Sequence, residues 1–251
     1  MRKERETLSD AMGALNIDIL PQPDDTSCGP TCLLAVYRYF GDDIEFSRVI
    51  SEVKMLEGGG TLAVFLANHA LKRGFDAKIY SYNLQLFDPT WAGLSVAELK
   101  RKLILQMEHK HDAKLALSTR AYLEFFDLGG SLHFEDLSAS LIRKFLKKPV
   151  PVITALSATY LYKSSREYGP QSEYDDVRGD PAGHFVVLAG YDEHHRTVTV
   201  ADPLLTNPIA HTHTYDVSIE RLIGAIFLGI LTYDAKLLIL QPREKSSGNR
   251  E

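Results

Sequence analysis

The sequence predicts an α+β fold, with helices in the first part of the chain and an antiparallel sheet in the second. Apolar residues recur with helical spacing up to about residue 148, whereas short β-branched runs separated by turn residues follow. The apolar content of 45% and the charged content of 24% are typical of a globular protein. We expect one domain over 1–251, with a helical half at about 16–148, a sheet half at about 149–242 and a flexible tail at 243–251.

The helical half is predicted from apolar spacing and from residues that favour helix boundaries. The clearest helix is expected at 27–40, where Ser27 is a suitable N-cap and Pro30 falls in the first turn. Gly41 then ends the element. The other helices are expected at 1–15, 45–54, 61–72, 96–109 and 134–146, with a strand at 75–82.

The sheet half is predicted from five apolar, β-branched runs that are separated by turn residues. Two of them, 184–191 and 197–202, are close enough in sequence to form a hairpin through a turn at 192–196. The five predicted strands are 150–156, 184–191, 197–202, 226–233 and 236–240.

Charge and hydropathy exclude several classes of function. The formal net charge of −5, with mixed signs, gives no general attraction to nucleic acid or to an anionic membrane. The N-terminus has no apolar secretion signal, and the longest uncharged stretch, 222–233, is too short to span a bilayer. Only two cysteines are present, Cys28 and Cys32, which are too few for a disulfide framework. We therefore expect a cytoplasmic protein without a membrane span.

A cysteine at the start of a predicted helix is the strongest chemical signal. Cys28 would be exposed at the positive end of the helix dipole, where free backbone N–H groups favour the nucleophilic thiolate. The same N–H groups can hold the oxyanion of an acyl-transfer intermediate. Gly29 would let a substrate approach closely, and the side-chain amide of Gln22 would supply a second oxyanion donor.

A thiolate nucleophile needs a base, and the candidate is His184 at the start of a predicted strand. Asp202 ends the next predicted strand, so a hairpin would bring both residues to the same end of the sheet. The carboxylate could then orient the imidazole and fix its tautomer. Asp192 and Asn207 are alternatives for this orienting role.

Three blocks of the sequence carry a family resemblance. They are Gln22 with Cys28-Gly29-Pro30-Thr31-Cys32-Leu33, the segment 61–74, and Gly183-His184-Phe185-Val186-Val187-Leu188 with Asp202-Pro203. Together they resemble the papain-like bacterial cysteine peptidases that remove double-glycine leaders from bacteriocins, and more closely the stand-alone relatives of those enzymes.

The resemblance implies a papain-like fold, with the active site between the helical and sheet halves. It also implies hydrolysis of a peptide bond in a peptide or protein substrate, without a cofactor or a metal. In that family, the cysteine is the nucleophile, the histidine the base, the aspartate the orienting residue and the glutamine part of the oxyanion hole. These roles carry over to Cys28, His184, Asp202 and Gln22.

The residues themselves leave two other functions open. A Cys-His-Asp triad also serves transglutaminases and amidases, and a fold does not determine the acyl acceptor. A non-enzymatic module could instead keep the fold and hold a peptide in its groove. We interpret Cys32 as a core residue, and His211 with His213 as turn or strand residues without zinc-site spacing.

The segment 157–183 is long, polar and rich in tyrosine, glycine and proline. Because it leads directly into His184, we expect it to lie beside the cleft as a mobile lid without packed regular structure. Its tyrosines are candidates for a substrate groove, and its acidic residues Glu173, Asp175 and Asp176 would favour basic or aromatic substrate residues.

Overall fold

The computed structural model describes residues 14–244, and it has the predicted α+β class. The strands are β1 (Phe75–Ser81), β2 (Ser131–His133), β3 (Val152–Ser157), β4 (Glu167–Tyr168), β5 (Glu173–Tyr174), β6 (Gly183–Asp192), β7 (Thr197–Ala201), β8 (Thr214–Ser218) and β9 (Lys236–Pro242). Seven of them form one sheet in the order β2-β1-β9-β3-β6-β7-β8, and β4 pairs with β5 separately. Within the large sheet, only β1 and β2 are parallel.

Helices cover both faces of this sheet. They are α1 (Cys28–Tyr39), α2 (Phe46–Glu52), α3 (Ala63–Lys72), α4 (Val96–His109), α5 (Ala113–Asp127), α6 (Ala139–Leu146), α7 (Ala158–Tyr162) and α8 (Ile219–Leu228). Helices α1 to α5 contribute to one hydrophobic core, and α6 to α8 contribute to a second core.

Strand β6 separates the two cores because successive side chains of a strand point to opposite faces. Phe185 and Val187 belong to the core that contains α1, whereas Val186 and Leu188 belong to the core that contains α8. The strand that begins with Gly183 and His184 is therefore buried on both faces and fixed in position.

The predicted hairpin between β6 and β7 is present, with its turn at 193–196. Val187 pairs with Ala201, and the register shifts by one residue between Leu188 and Gly190. The pairing brings the beginning of β6 and the residue after β7 to the same end of the sheet, as the sequence analysis expected for His184 and Asp202.

The division into a helical half and a sheet half is less strict than predicted. Strands β1 and β2 lie in the first half and join the sheet through β9. The prediction of a strand at 226–233 is wrong, since these residues form the end of α8 and a 3₁₀ turn. The Ser218 hydroxyl caps α8 by accepting from Arg221 N, and Ile219, Leu222 and Ile226 are buried at helical spacing.

Two further predictions differ from the structure. The helix expected at 134–146 begins at Ala139, because Ser138 caps it by accepting from Leu141 N. The segment 157–183 is not without regular structure, since it contains α7, capped by Ser157, and the β4–β5 hairpin. In contrast, α4 has the predicted bounds, while α5 was not predicted.

Within residues 14–244, no helix combines the length and the apolar character that crossing a membrane requires. Most of the helix expected at 1–15, and most of the tail expected at 243–251, lie outside the described residues.

Candidate active site

Cys28 is the first residue of α1, as the sequence predicts, but it is buried rather than exposed, with 7% of its surface accessible. Ser27 occupies the N-cap position without capping the helix. Its hydroxyl donates instead to the carboxylate of Asp24, at 2.8 Å to each oxygen. The N–H groups at the start of α1 have no acceptor inside the helix. Because the Ser27 side chain does not accept from them either, they remain available to a substrate.

The loop that precedes α1 is fixed against the end of the β6–β7 hairpin. The Asp24 carboxylate also accepts from Thr26 N and from the Thr26 hydroxyl, each at 2.8 Å. The backbone N–H of Gln22 donates to Pro203 O at 3.0 Å, and its side-chain Nε2 donates to Asp24 O at 2.9 Å. Gln22 thus lies beside the residue that follows Asp202, and its amide retains a second N–H.

His184 lies between Asp202 and Cys28. Its Nε2 is 2.9 Å from Asp202 Oδ1, and Cys28 is close enough to the ring to influence the pKa of the imidazole. Since Nε2 faces Asp202, Nδ1 is the ring nitrogen that remains for Cys28. Burial alone would lower the pKa of His184, but the charge of Asp202 and its hydrogen bond, followed by the effect of Cys28, raise the pKa to about 10.

The carboxylate of Asp202 is completely buried and accepts four hydrogen bonds. His184 Nε2 and Leu204 N donate to Oδ1, at 2.9 and 2.8 Å. The hydroxyls of Tyr162 and Tyr215 donate to Oδ2, at 2.7 and 2.6 Å. Burial alone would raise the pKa of Asp202, but the charge of His184 and these donors lower it.

The sequence analysis did not assign either tyrosine to the site. Tyr162 is one of several tyrosines that the sequence analysis gives as candidates for a substrate groove. It is buried, whereas the other candidates, Tyr160, Tyr168 and Tyr174, are exposed. Tyr215 was not considered at all. The one available signal was the alternation of polar and apolar residues in 214–218, which is typical of a strand with one buried face.

Gly29 has a packing role that the sequence analysis did not predict. A Cβ atom at this position would lie 2.4 Å from Thr61 Cγ2, so the glycine allows α1 to pack against the residues before α3. Thr61 is itself held by a 2.7 Å hydrogen bond from its hydroxyl to Lys54 O. Close packing between these two elements therefore favours glycine at this position.

Cys32 is a core residue in the structure. It has no accessible surface, and its thiol donates to Phe185 O at 3.3 Å. Burial, with negative charge at Cys28 and Asp202, raises the pKa of its thiol well above the usual range. Cys32 is therefore poorly suited to form a thiolate.

The alternatives to Asp202 have hydrogen-bond partners other than His184. Asp192 is the exposed last residue of β6, where its carboxylate accepts from His195 N in the hairpin turn and pairs with His195 Nδ1. Asn207 is buried, but its side chain bonds backbone groups of the loop at 204–212. Both residues organise turns and make no hydrogen bond to His184.

The histidines near the end of β7 do not combine into a metal site. His213 Nδ1 lies 2.7 Å from Asp202 O, so this ring fixes the backbone next to the carboxylate. Over residues 14–244, no group of three or more His, Cys, Asp or Glu is placed to hold a metal ion.

Residues 14–223, most of the chain, match the sequence model of the Peptidase_C39-like family. The chain belongs to this family. No curated protein matches the chain significantly.

Three solved structures are similar to this Peptidase_C39-like chain, each with a TM-score of 0.44. The peptidase domain of Streptococcus ComA, a bi-functional ABC transporter, is 15% identical, with 90% of this chain and 99% of that chain covered. A double glycine motif protease from an AMS/PCAT transporter, in complex with the leader peptide, is 14% identical, with 93% and 96% covered. A C39-like peptidase from Bacillus anthracis is 17% identical, with 92% and 96% covered.

Proposed function

We propose that this Peptidase_C39-like protein is a cysteine peptidase with Cys28 as nucleophile, His184 as base and Asp202 as orienting residue. The observation that carries the proposal is the hydrogen bond between His184 Nε2 and the buried carboxylate of Asp202, which leaves Nδ1 of the same ring for the neighbouring Cys28. A base within reach of a nucleophile, and itself oriented by a third group, is the arrangement required for nucleophilic catalysis.

The electrostatics of these three residues favour a thiolate–imidazolium pair. Asp202 stays ionised because its pKa is lowered, and its charge holds a proton on His184, whose pKa is raised. The proton of the Cys28 thiol can then reside on Nδ1, while the start of α1 stabilises the negative sulfur. The nucleophile is thus prepared before a substrate binds.

In the first half-reaction, the Cys28 sulfur forms a bond to the carbonyl carbon of the scissile peptide. The oxyanion of the tetrahedral intermediate is held by the N–H groups at the start of α1 and by the free N–H of the Gln22 amide. The imidazolium of His184 gives its proton to the leaving amine as the C–N bond breaks, and a thioester remains on Cys28.

In the second half-reaction, neutral His184 removes a proton from water as the water oxygen adds to the thioester carbon. The C–S bond then breaks, which restores the thiolate and releases the product as a carboxylic acid that loses its proton to the solvent. All atoms and protons are supplied by the peptide, by water and by residues of this chain. We propose a peptide or protein as substrate, in line with the family to which the chain belongs.

Mass spectrometry of a peptide library incubated with the protein tests this function. Hydrolysis gives two fragments whose masses sum to the substrate plus one water, and Cys28→Ala abolishes them. Added amine acceptors distinguish acyl transfer, since they would appear in the product masses. If the wild-type protein binds peptides but produces neither product, the proposed peptidase activity is wrong and a binding module replaces it.

A further inference from the structure

The two oxygens of the Asp202 carboxylate have separate partners. Oδ1 accepts from His184 Nε2 and Leu204 N, whereas Oδ2 accepts from the hydroxyls of Tyr162 and Tyr215. Rotation of the carboxylate would break both pairs of bonds at once. The tyrosines therefore fix the plane in which Oδ1 faces the imidazole.

The two tyrosines reach Asp202 from separate elements. Tyr162 is the last residue of α7, and Arg221 of α8 holds this helix by donating from Nε to Leu161 O at 2.9 Å. Tyr215 lies in β8, where it pairs with Val200 of the adjacent strand β7. Both positions are held by backbone contacts that do not depend on Asp202.

Both tyrosines are suited to act as permanent donors. Each is buried, and burial followed by the charge of Asp202 raises the pKa of both phenols, so they keep their protons across the working pH range. Donors to a carboxylate stabilise its ionised form, and here they offset the cost of burying Asp202 completely.

We infer that Tyr162 and Tyr215 are positioning residues that hold Asp202 ionised and aimed at His184, and so maintain the imidazolium beside Cys28. The inference rests on the proposed function, since it assigns partners to the same triad. Without the two hydroxyls, the buried carboxylate would favour its protonated form and would rotate more freely. A protonated Asp202 no longer supports the charge on His184.

The rate of Cys28 alkylation by iodoacetamide, measured against pH, tests this inference without a peptide substrate. In Tyr162→Phe, Tyr215→Phe and the double variant, we expect the acid limb of the profile to move to higher pH. The double variant should shift further than either single variant, because the pKa of Asp202 rises each time the carboxylate loses a donor. The control is Tyr160→Phe, on the same helix but 41% exposed, which should leave the limb in place.

A second readout uses turnover. If the tyrosines act through Asp202, each phenylalanine variant lowers kcat about 10-fold with little change in KM. The effect should also shrink in an Asp202→Asn background, because the hydroxyls then have no carboxylate to hold. An unshifted acid limb in all three phenylalanine variants would overturn the inference.

Two safeguards keep the outcomes distinct. Site-specific 3-fluorotyrosine at position 215 keeps the hydroxyl and makes it a stronger donor, so its acid limb should move to lower pH even if a phenylalanine variant does not fold. If the acid limb of the 3-fluorotyrosine protein moved in the same direction as that of Tyr215→Phe, or did not move, the positioning role of Tyr215 would be contradicted. A normal alkylation limb without peptide cleavage in the wild-type protein would refute the proposed function and leave this inference standing.

Discussion

The nucleophile side and the base side of the candidate site are built differently. Cys28 depends on the backbone, since it lies at the start of α1 without a side-chain cap from Ser27. His184 and Asp202 instead depend on side chains from distant elements, including Tyr162 and Tyr215. The local helix prepares the nucleophile, whereas tertiary packing prepares the base. Substitutions on the two sides should therefore fail in different ways.

Removing the nucleophile should have the largest effect. We expect Cys28→Ala to lower kcat by at least about 10³-fold, because no other group can form the thioester. Its far-UV circular dichroism should match that of the wild type, since only one sulfur atom is lost. Cys32→Ala is the matched control one turn later in α1. If Cys32→Ala abolished peptide cleavage while Cys28→Ala retained it, the assignment of the nucleophile would be reversed.

Substitution of the orienting carboxylate should come next. Asp202→Asn keeps the shape of the side chain but removes the charge that supports imidazolium, and we expect kcat to fall by about 10³-fold with KM little changed. Asp192→Asn, at the exposed end of β6 beside the hairpin turn, should change kcat less than about twofold. Steady-state kinetics of the two variants check this ranking. A larger loss of kcat in Asp192→Asn than in Asp202→Asn would exclude Asp202 as the orienting residue.

The oxyanion side should be less sensitive than the triad because the start of α1 supplies other donors. We expect Gln22→Ala to lower kcat about 100-fold, the typical loss of one side-chain oxyanion donor. Gln22→Glu keeps the size of the side chain but removes the N–H donor, so its kcat should fall as much as that of Gln22→Ala. Full activity of Gln22→Glu would show that the amide N–H does not contact the oxyanion.

The segment 157–183 should give the smallest effect. Asp175 is not free to repel substrates, since it accepts from Val177 N and Arg178 N and pairs with Arg178 Nε. We therefore expect only Glu173→Gln with Asp176→Asn to change substrate preference, raising KM for basic peptides about threefold. If the wild type and the double variant each had equal KM values for acidic and basic peptides, the segment 157–183 would have no role in substrate specificity.

Hydrogen exchange tests the predicted lid separately. Fast exchange of the backbone at 157–183 that slows when a peptide aldehyde occupies Cys28 would support a lid. Equal protection in both states would identify the segment, with its α7 helix and β4–β5 hairpin, as a permanent part of the fold.

Local signals account for what could be predicted from the sequence. The helix with Cys28 at its start, the β6–β7 hairpin and the placement of His184 and Asp202 all follow from nearby capping, turn and periodicity patterns. The 226–233 run differs from its prediction as a strand because short apolar segments are ambiguous between strand and buried helix. Tyr162 and Tyr215 were not assigned because their contacts with Asp202 depend on the packing of α7 and β8, which sequence spacing does not reveal.

The pH profile of iodoacetamide labelling, with Cys28 and Cys32 separated by mass spectrometry, tests the central pairing of Cys28 with His184 most directly. Because the raised pKa of His184 keeps a positive charge beside Cys28, we expect Cys28 of the wild-type protein to be labelled faster at neutral pH than Cys28 of His184→Ala. Cys32 should stay unlabelled in both proteins. Identical profiles for the wild type and His184→Ala, or faster labelling of Cys32, would contradict the account.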